Sequence, residues 1–98
     1  LGRQAAPVGS AAQDRTPAGV HDLGGNVAEW VLDAFQAPYP TCDEPCLNPL
    51  VLPAAGPPAR VVRGGHWGDA VSVRATARAG WPPDVGIEAV GFRCAASP

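Results

Sequence analysis

Two carboxylates bracket a glycine bend in the segment "GVHDLGGNVAEW". Asp22 and Glu29 flank Gly24, Gly25 and Asn26. A hard cation such as calcium takes roughly six to eight oxygen ligands from carboxylates, amides and backbone carbonyls, and glycine lets the carbonyls of a bend turn toward a common centre. The spacing differs from that of an EF-hand loop. The residues therefore allow two interpretations: a calcium site, or a turn capped by Asp22, with Asn26 left-handed and Glu29 solvated.

A second group of polar and aromatic side chains follows the other glycine pair of the chain, in "RGGHWGD". Aromatic and Arg side chains dominate binding hot spots, so this group could form a ligand-binding surface. The competing interpretation places the Trp side chains in the core and uses Arg74, Arg78 and Arg93 as hydrogen-bond donors to irregular backbone. The candidate ligand-binding residues are His66, Trp67, Asp69, Arg74, Arg78, Trp81 and Asp84.

Three cysteines limit the thiol chemistry of the chain. Cys42 and Cys46 are close enough in sequence to form a disulfide across a short Pro-bounded loop, or they remain thiols. Because the number of cysteines is odd, at least one has no disulfide partner within this sequence. A zinc site is disfavoured, because no second Cys or His pair has the spacing of a tetrahedral site and both His21 and His66 are isolated.

Short extended segments must position these residues. Residues 26–35 combine apolar alternation with β-branched and aromatic side chains, which favours a strand over the competing helical period. A short strand is predicted in "RVVRGG", an extended segment over 71–80, a rigid turn in "WPPD" (81–84), and a last strand within 88–97.

Composition points to one small, loop-rich domain. The 98 residues include 12 Gly and 12 Pro, which favours many turns and short elements. Residues 1–18 are predicted to be irregular and 36–59 to be a Pro-rich surface excursion. A formal charge of -2, with all seven cations being Arg and none in a run, argues against nucleic-acid binding. No apolar run is long enough to span a membrane.

Five segments together resemble the formylglycine-generating enzyme family, also called the sulfatase-modifying factor family. They are "PVGS", "GVHDLGGNVAEWV", "RVVRGGHW", "RATAR" and "VGFRCA", in this order. The resemblance runs from about Pro7 to Ala95 and matches the C-terminal part of the family domain. It implies an α+β, loop-rich, C-type-lectin-like fold with short antiparallel strands and little regular secondary structure. We expect residues 1–98 to be the C-terminal portion of one such domain, with its upstream part outside this sequence.

The resemblance also implies a calcium ion at the glycine bend. Carried over by position, the ligands would be the side chains of Asp22 and Glu29 and the backbone carbonyls of Gly25 and Val27. The residues at all four positions can supply these oxygens.

The resemblance does not extend to the catalytic cysteine pair of the family's enzymes. Enzymes of the family oxidise a sulfatase cysteine with oxygen and copper, using a cysteine pair shortly after the RGG segment. No cysteine lies between Gly65 and Val90, and His66 and Asp69 cannot replace two thiolates as ligands of cuprous copper. His66 itself stands where these enzymes usually carry Ser.

The sequence therefore favours a calcium-stabilised pseudoenzyme that binds a ligand or a protein and lacks oxidase activity. The ligand itself is not predicted. Because lectin-like scaffolds tolerate variable loops, function would depend on loop side chains. Three alternatives stay open: an oxidoreductase of the family, a retroelement-diversified variable binding protein, and an accessory domain of a kinase or a secreted enzyme.

Overall fold

The longest strand, β1, begins just after the glycine bend and spans Ala28–Ala34. β2 spans Arg60–Arg63, β3 spans Ala79–Trp81 and β4 spans Val90–Gly91, and a 3-10 turn covers Val71–Val73. The computed structural model describes residues 4–37, 39, 41, 42, 46–52, 59–69 and 71–97. The predicted Pro-rich excursion over 36–59 therefore lies partly outside the described residues, as do the first three residues of the segment predicted to be irregular.

The four strands form one mixed sheet in the order β3-β2-β1-β4. β2 runs antiparallel to both neighbours, with Trp30 opposite Val62 and Val61 opposite Gly80. β4 runs parallel to β1, with Ala28 opposite Val90. The expectation of antiparallel strands is therefore wrong for β4, because the long connection after β3 returns the chain in the direction of β1. The predicted loop-rich character is confirmed, and the described residues contain no α-helix.

The predicted strand positions agree best for β1 and β2. Residues 71–80 are extended only at their end: Val71–Val73 form a 3-10 turn, and Ala77 N donates to Arg74 O at 2.9 Å to close a further turn. The "WPPD" turn is present one residue later, where Val85 N donates to Pro82 O at 3.2 Å. Among the described residues, no helix is long and apolar enough to cross a membrane.

The core lies at the centre of the sheet and is small. The buried apolar residues of the described chain are Ala28, Ala34, Val61, Val62 and Ala89. Trp81 is 45% exposed, so the interpretation that placed this side chain in the core is wrong. Because three of the five buried residues are alanines, little apolar area is removed from water and polar contacts must hold much of the loop structure.

Candidate functional site

The glycine bend is fixed by a carboxylate from an earlier turn. Asp14 accepts hydrogen bonds from Gly24 N with both oxygens, at 3.1 and 3.0 Å, and its backbone carbonyl accepts one from Asp22 N at 2.9 Å. These contacts satisfy backbone donors that a bend would otherwise leave without a partner.

Asn26 occupies the left-handed region, with φ of 75°, as the turn interpretation predicted. Its side chain accepts from Ala6 N at 2.8 Å and donates to Ala6 O at 3.1 Å, while its carbonyl accepts from Trp67 N at 3.0 Å. Asn tolerates this conformation better than most residues. Asn26 therefore connects the start of the chain to the segment that follows β2.

Asp22 also adopts a positive φ, 59°, and is 9% exposed. Its Oδ2 atom accepts a hydrogen bond from Gly9 N at 2.8 Å, so its carboxylate joins two positions that are thirteen residues apart in sequence. The turn interpretation described Asp22 as a local cap, whereas the contact joins two separate turns.

Glu29 is bound by Arg93 and is not a solvated strand residue. Arg93 Nε donates to Oε2 of Glu29 at 2.7 Å and Nη2 donates to Oε1 at 2.6 Å. The same guanidinium donates to the carbonyls of His21 at 2.9 Å and Asp22 at 3.3 Å. The hydrogen bond with Glu29 raises the pKa of Arg93 further above its ordinary value. Arg93 thus joins the residues after β4 to β1 and to the bend.

All four predicted calcium-ligand residues line one cavity of about 420 Å³, which we call the bend cavity. They are Asp22, Gly25, Val27 and Glu29, and Arg93 lines the same cavity. Within the described residues, no three His, Cys, Asp or Glu side chains are grouped as metal ligands. A calcium ion would therefore depend on two carboxylates, backbone carbonyls and water, which is a donor set that calcium accepts. The residues fit the ion, although Glu29 would also have to accept the hydrogen bonds of Arg93.

A second cavity, of about 160 Å³, lies beside the turn that follows β2, and we call it the turn cavity. Asp69 Oδ1 accepts from Val71 N at 2.8 Å, its Oδ2 accepts from the hydroxyl of Ser72, and His66 Nδ1 accepts from Gly68 N at 3.1 Å. The Ser72 and Val71 donors lower the pKa of Asp69. Because His66 Nδ1 is an acceptor, its Nε2 is left to donate in the neutral ring.

The structure brings only part of the predicted ligand-binding set together. His66, Asp69, Arg78 and Trp81 line the turn cavity, with Arg63 and Ser72 beside them. The other three predicted residues lie elsewhere. Trp67 lines a separate cavity of about 250 Å³ next to Asn26 and Asp22, and Arg74 and Asp84 are exposed and do not line the turn cavity.

Cys42 and Cys46 form a disulfide, with their Cα atoms 5.5 Å apart, and Cys94 is an exposed free cysteine. Both disulfide residues line a third cavity, of about 460 Å³, which we call the disulfide groove. It lies against β1 and β2, apart from the bend cavity.

Comparison with known proteins agrees with the motifs. The family model for the sulfatase-modifying factor enzyme 1-like domain matches residues 2–98. The chain therefore belongs to the sulfatase-modifying factor family. It is similar to the inactive C-alpha-formylglycine-generating enzyme 2 of Mus musculus, with 34% identity over 85 residues. That match covers 81% of this chain and 22% of the mouse protein. No solved structure matches the chain.

Sequence reasoning missed several residues that build these sites. Asp14 and Ser72 carry no motif, and the sequence predicts Arg93 only as a donor to backbone, whereas it also pairs with Glu29. The terminal "GFR" segment was the available signal for Arg93. It does not indicate a partner 64 residues away in sequence.

Proposed function

We propose that this chain is a calcium-stabilised, non-oxidase member of its family that binds a ligand or a protein partner, with calcium at the bend cavity. The observation that carries the proposal is the convergence of Asp22, Gly25, Val27 and Glu29 on one cavity. These residues span eight positions, from the irregular bend into the start of β1, and nothing in the local sequence requires them to line the same space.

The charges around the bend cavity are consistent with a bound cation. Asp22 and Glu29 bring two negative charges, and Arg93 brings one positive charge. Each carboxylate oxygen has two lone pairs, so Glu29 can accept from Arg93 and still bind an ion. A bound calcium ion would supply the charge that draws both carboxylates and the bend carbonyls together. The chain's own residues would then hold the bend against β1.

Thermal unfolding with and without calcium tests this proposal. We expect millimolar calcium to raise the melting temperature by several degrees, because a ligand at about 100 times its Kd adds about 2.7 kcal/mol to the free energy of unfolding. The Glu29→Gln variant should show no such shift. Asp33→Asn is the matched control, since Asp33 lies on the same strand, accepts from Val51 N at 2.9 Å and does not line the bend cavity. Equal melting of the wild-type chain with and without calcium would exclude the site.

The non-oxidase part of the proposal rests on the segment after β2. Residues 66–89 contain no cysteine, and the groups facing the turn cavity are an imidazole, a carboxylate, a hydroxyl and arginines. A soft cuprous ion prefers thiolates, which this set lacks. The similarity to a mouse protein whose name describes it as inactive supports the same conclusion.

Titration with copper(I) separates this proposal from the oxidase alternative. We expect no binding with a Kd below about 1 µM when the Cys42–Cys46 disulfide is intact and Cys94 is replaced by Ser. Tight copper(I) binding to that protein would overturn the non-oxidase assignment.

The ligand-binding part of the proposal is assigned to the turn cavity. His66 and Trp81 offer an imidazole donor and a half-exposed indole, and Arg63 and Arg78 line the same space. Side chains of this kind carry much of the energy of protein interfaces.

A further inference from the structure

The guanidinium of Arg93 brings a positive charge of the chain's own to the bend cavity. Its Nε and Nη2 atoms donate to the two oxygens of Glu29 at 2.7 and 2.6 Å, and Nη1 and Nη2 donate to the carbonyls of His21 and Asp22. The hydrogen bond with Glu29 and the charges of Glu29, Asp22 and Asp14 raise the pKa of Arg93. The guanidinium therefore lies among the same negative groups that a calcium ion at the bend would need.

Arg93 and a calcium ion in this cavity would compete through charge. The lone pairs of Glu29 suffice for both partners, so the number of acceptor sites does not decide the outcome. Because Arg93 contacts both oxygens of Glu29, an ion bound to either oxygen would stand beside a guanidinium nitrogen. The Glu29 side chain is only 21% exposed, and two cations repel each other more strongly where water is partly excluded. Calcium binding and the Arg93 contacts therefore oppose each other.

Arg93 also attaches the stretch after β4 to the rest of the fold. Within the described chain, the hydrogen bonds of residues 93–97 all come from the Arg93 guanidinium. Residues 92–97 are all exposed, so no buried side chain anchors this stretch. Loss of the guanidinium contacts would leave residues 93–97 without an attachment to the bend.

We propose that Glu29 exchanges the guanidinium of Arg93 for calcium, so that calcium binding releases residues 93–97 from the bend. The exchange rests on the proposed calcium site and gives that site a regulatory role. While Arg93 contacts Glu29, residues 93–97 are held against the bend and the carboxylate is less available to the ion. The coupling is reciprocal, so removal of the Arg93 contacts must tighten calcium binding by the factor by which calcium weakens those contacts.

A spin label on Cys94 tests the proposal, because Cys94 directly follows Arg93 and is an exposed free cysteine. The protein is the full chain with the Cys42–Cys46 disulfide intact, and electron paramagnetic resonance measures the mobility of the label with and without calcium. We expect calcium to shorten the rotational correlation time of the label about twofold or more, toward that of an unattached segment. An unchanged spectrum at a calcium concentration that raises the melting temperature would overturn the exchange and leave the calcium site in place. No effect of calcium on either readout would overturn both.

Two arginine variants separate release of this stretch from a general effect of calcium on the fold. In Arg93→Gln, the label should be mobile without calcium, and calcium should not change its spectrum further. Isothermal titration calorimetry should show that this variant binds calcium about fivefold or more tightly than the wild-type chain does. Arg74→Gln is the matched control and should behave like the wild-type chain, because Arg74 is exposed and does not line the bend cavity.

The variants also give outcomes that would contradict the exchange. A label that stays restricted in Arg93→Gln would show that Arg93 does not hold the stretch after β4. An unchanged calcium affinity in that variant would show that the guanidinium and the ion do not compete. The comparison of the wild-type spectrum with and without calcium does not depend on any variant folding.

Discussion

Two Gly-Gly turns of this chain carry carboxylates, and they are held in different ways. At the Gly24-Gly25 bend, the contacts of Arg93 span 64 and 72 residues, and those of Asp14 and Asp22 span 10 and 13. In the turn after Gly64-Gly65, the side-chain bonds of His66 and Asp69 span only two or three residues. The side chains of the first turn bond to distant segments, whereas those of the second bond within the turn, whose backbone meets the bend where Trp67 N donates to Asn26 O.

This difference determines what a change of side chain would do in each turn. A change at Asp22 or Arg93 would affect distant segments, so the bend suits a fixed ion site and a structural role. In the turn after β2, the side chains of His66 and Asp69 can change with little effect on the sheet, because their hydrogen bonds are local. Such a turn suits ligand selection. The proposed division between calcium at the bend and ligand at the turn follows this division of contacts.

The largest expected effect comes from the residue at which the two turns meet. An added Cβ at Gly65 would lie 3.0 Å from Gly24 O and 3.2 Å from Asp69 O, with Val73 Cγ1 at 2.5 Å. The side chain of Val73 can move, but the two carbonyls belong to the backbone of both turns. We expect Gly65→Ala to lower the free energy of unfolding by about 1–3 kcal/mol, measured by urea denaturation. Gly86→Ala is the control, because nothing lies within 4 Å of its added Cβ. Equal stability of the two variants would mean that the turns do not pack against each other.

The second-largest expected effect tests whether the contacts of Arg93 are the main ones that hold the bend in place. Arg93→Gln removes the charged donors to Glu29 and to two carbonyls, and we expect a loss of about 1–2 kcal/mol. The loss is no larger because the Arg93 side chain is 36% exposed and solvent screens the pair. Arg74→Gln should change stability by less than about 0.5 kcal/mol, since Arg74 is exposed.

A double-mutant cycle with Glu29→Gln sharpens this test. If Arg93 and Glu29 act as a pair, the double variant should be less destabilised than the sum of the single variants. Strictly additive losses would show that the ion pair contributes nothing. Arg93→Gln should also enlarge the calcium-induced rise in melting temperature, because it frees Glu29 and removes a nearby positive charge.

The sequence predicted the parts of the fold that depend on local pattern. Alternation in 26–35 located β1, and the "RVVR" segment located β2. Residues 71–80 were harder, because alternating small residues fit both a strand and a series of turns, and Asp69 with Ser72 favours the turn. The parallel direction of β4 and the pairing of Glu29 with Arg93 depend on how distant segments meet, which no local period records.

The smallest expected effect is at the locally held turn, and its sign follows from the pKa of Asp69. Ser72 and the backbone of Val71 lower this pKa in the folded chain, so the carboxylate adds stability above its unfolded pKa of about 3.9. That stability is lost as pH falls through the folded pKa. Asp69→Asn should therefore be slightly less stable than the wild-type chain at pH 6–7, and the difference should shrink below about pH 4. Urea denaturation at a series of pH values measures it.

Two further variants decide whether that pH dependence belongs to the turn. Ser72→Ala removes the leading cause of the lowered pKa while leaving the carboxylate, so it should reproduce part of the pH dependence of Asp69→Asn. Asp84→Asn is the control, because Asp84 is exposed in the turn after β3 and does not line the turn cavity. A difference between wild type and Asp69→Asn that stays constant from pH 7 to pH 3 would mean that Asp69 acts through shape and not through charge. The turn would then be held by its backbone alone, and its contrast with the ion-paired bend would be greater still.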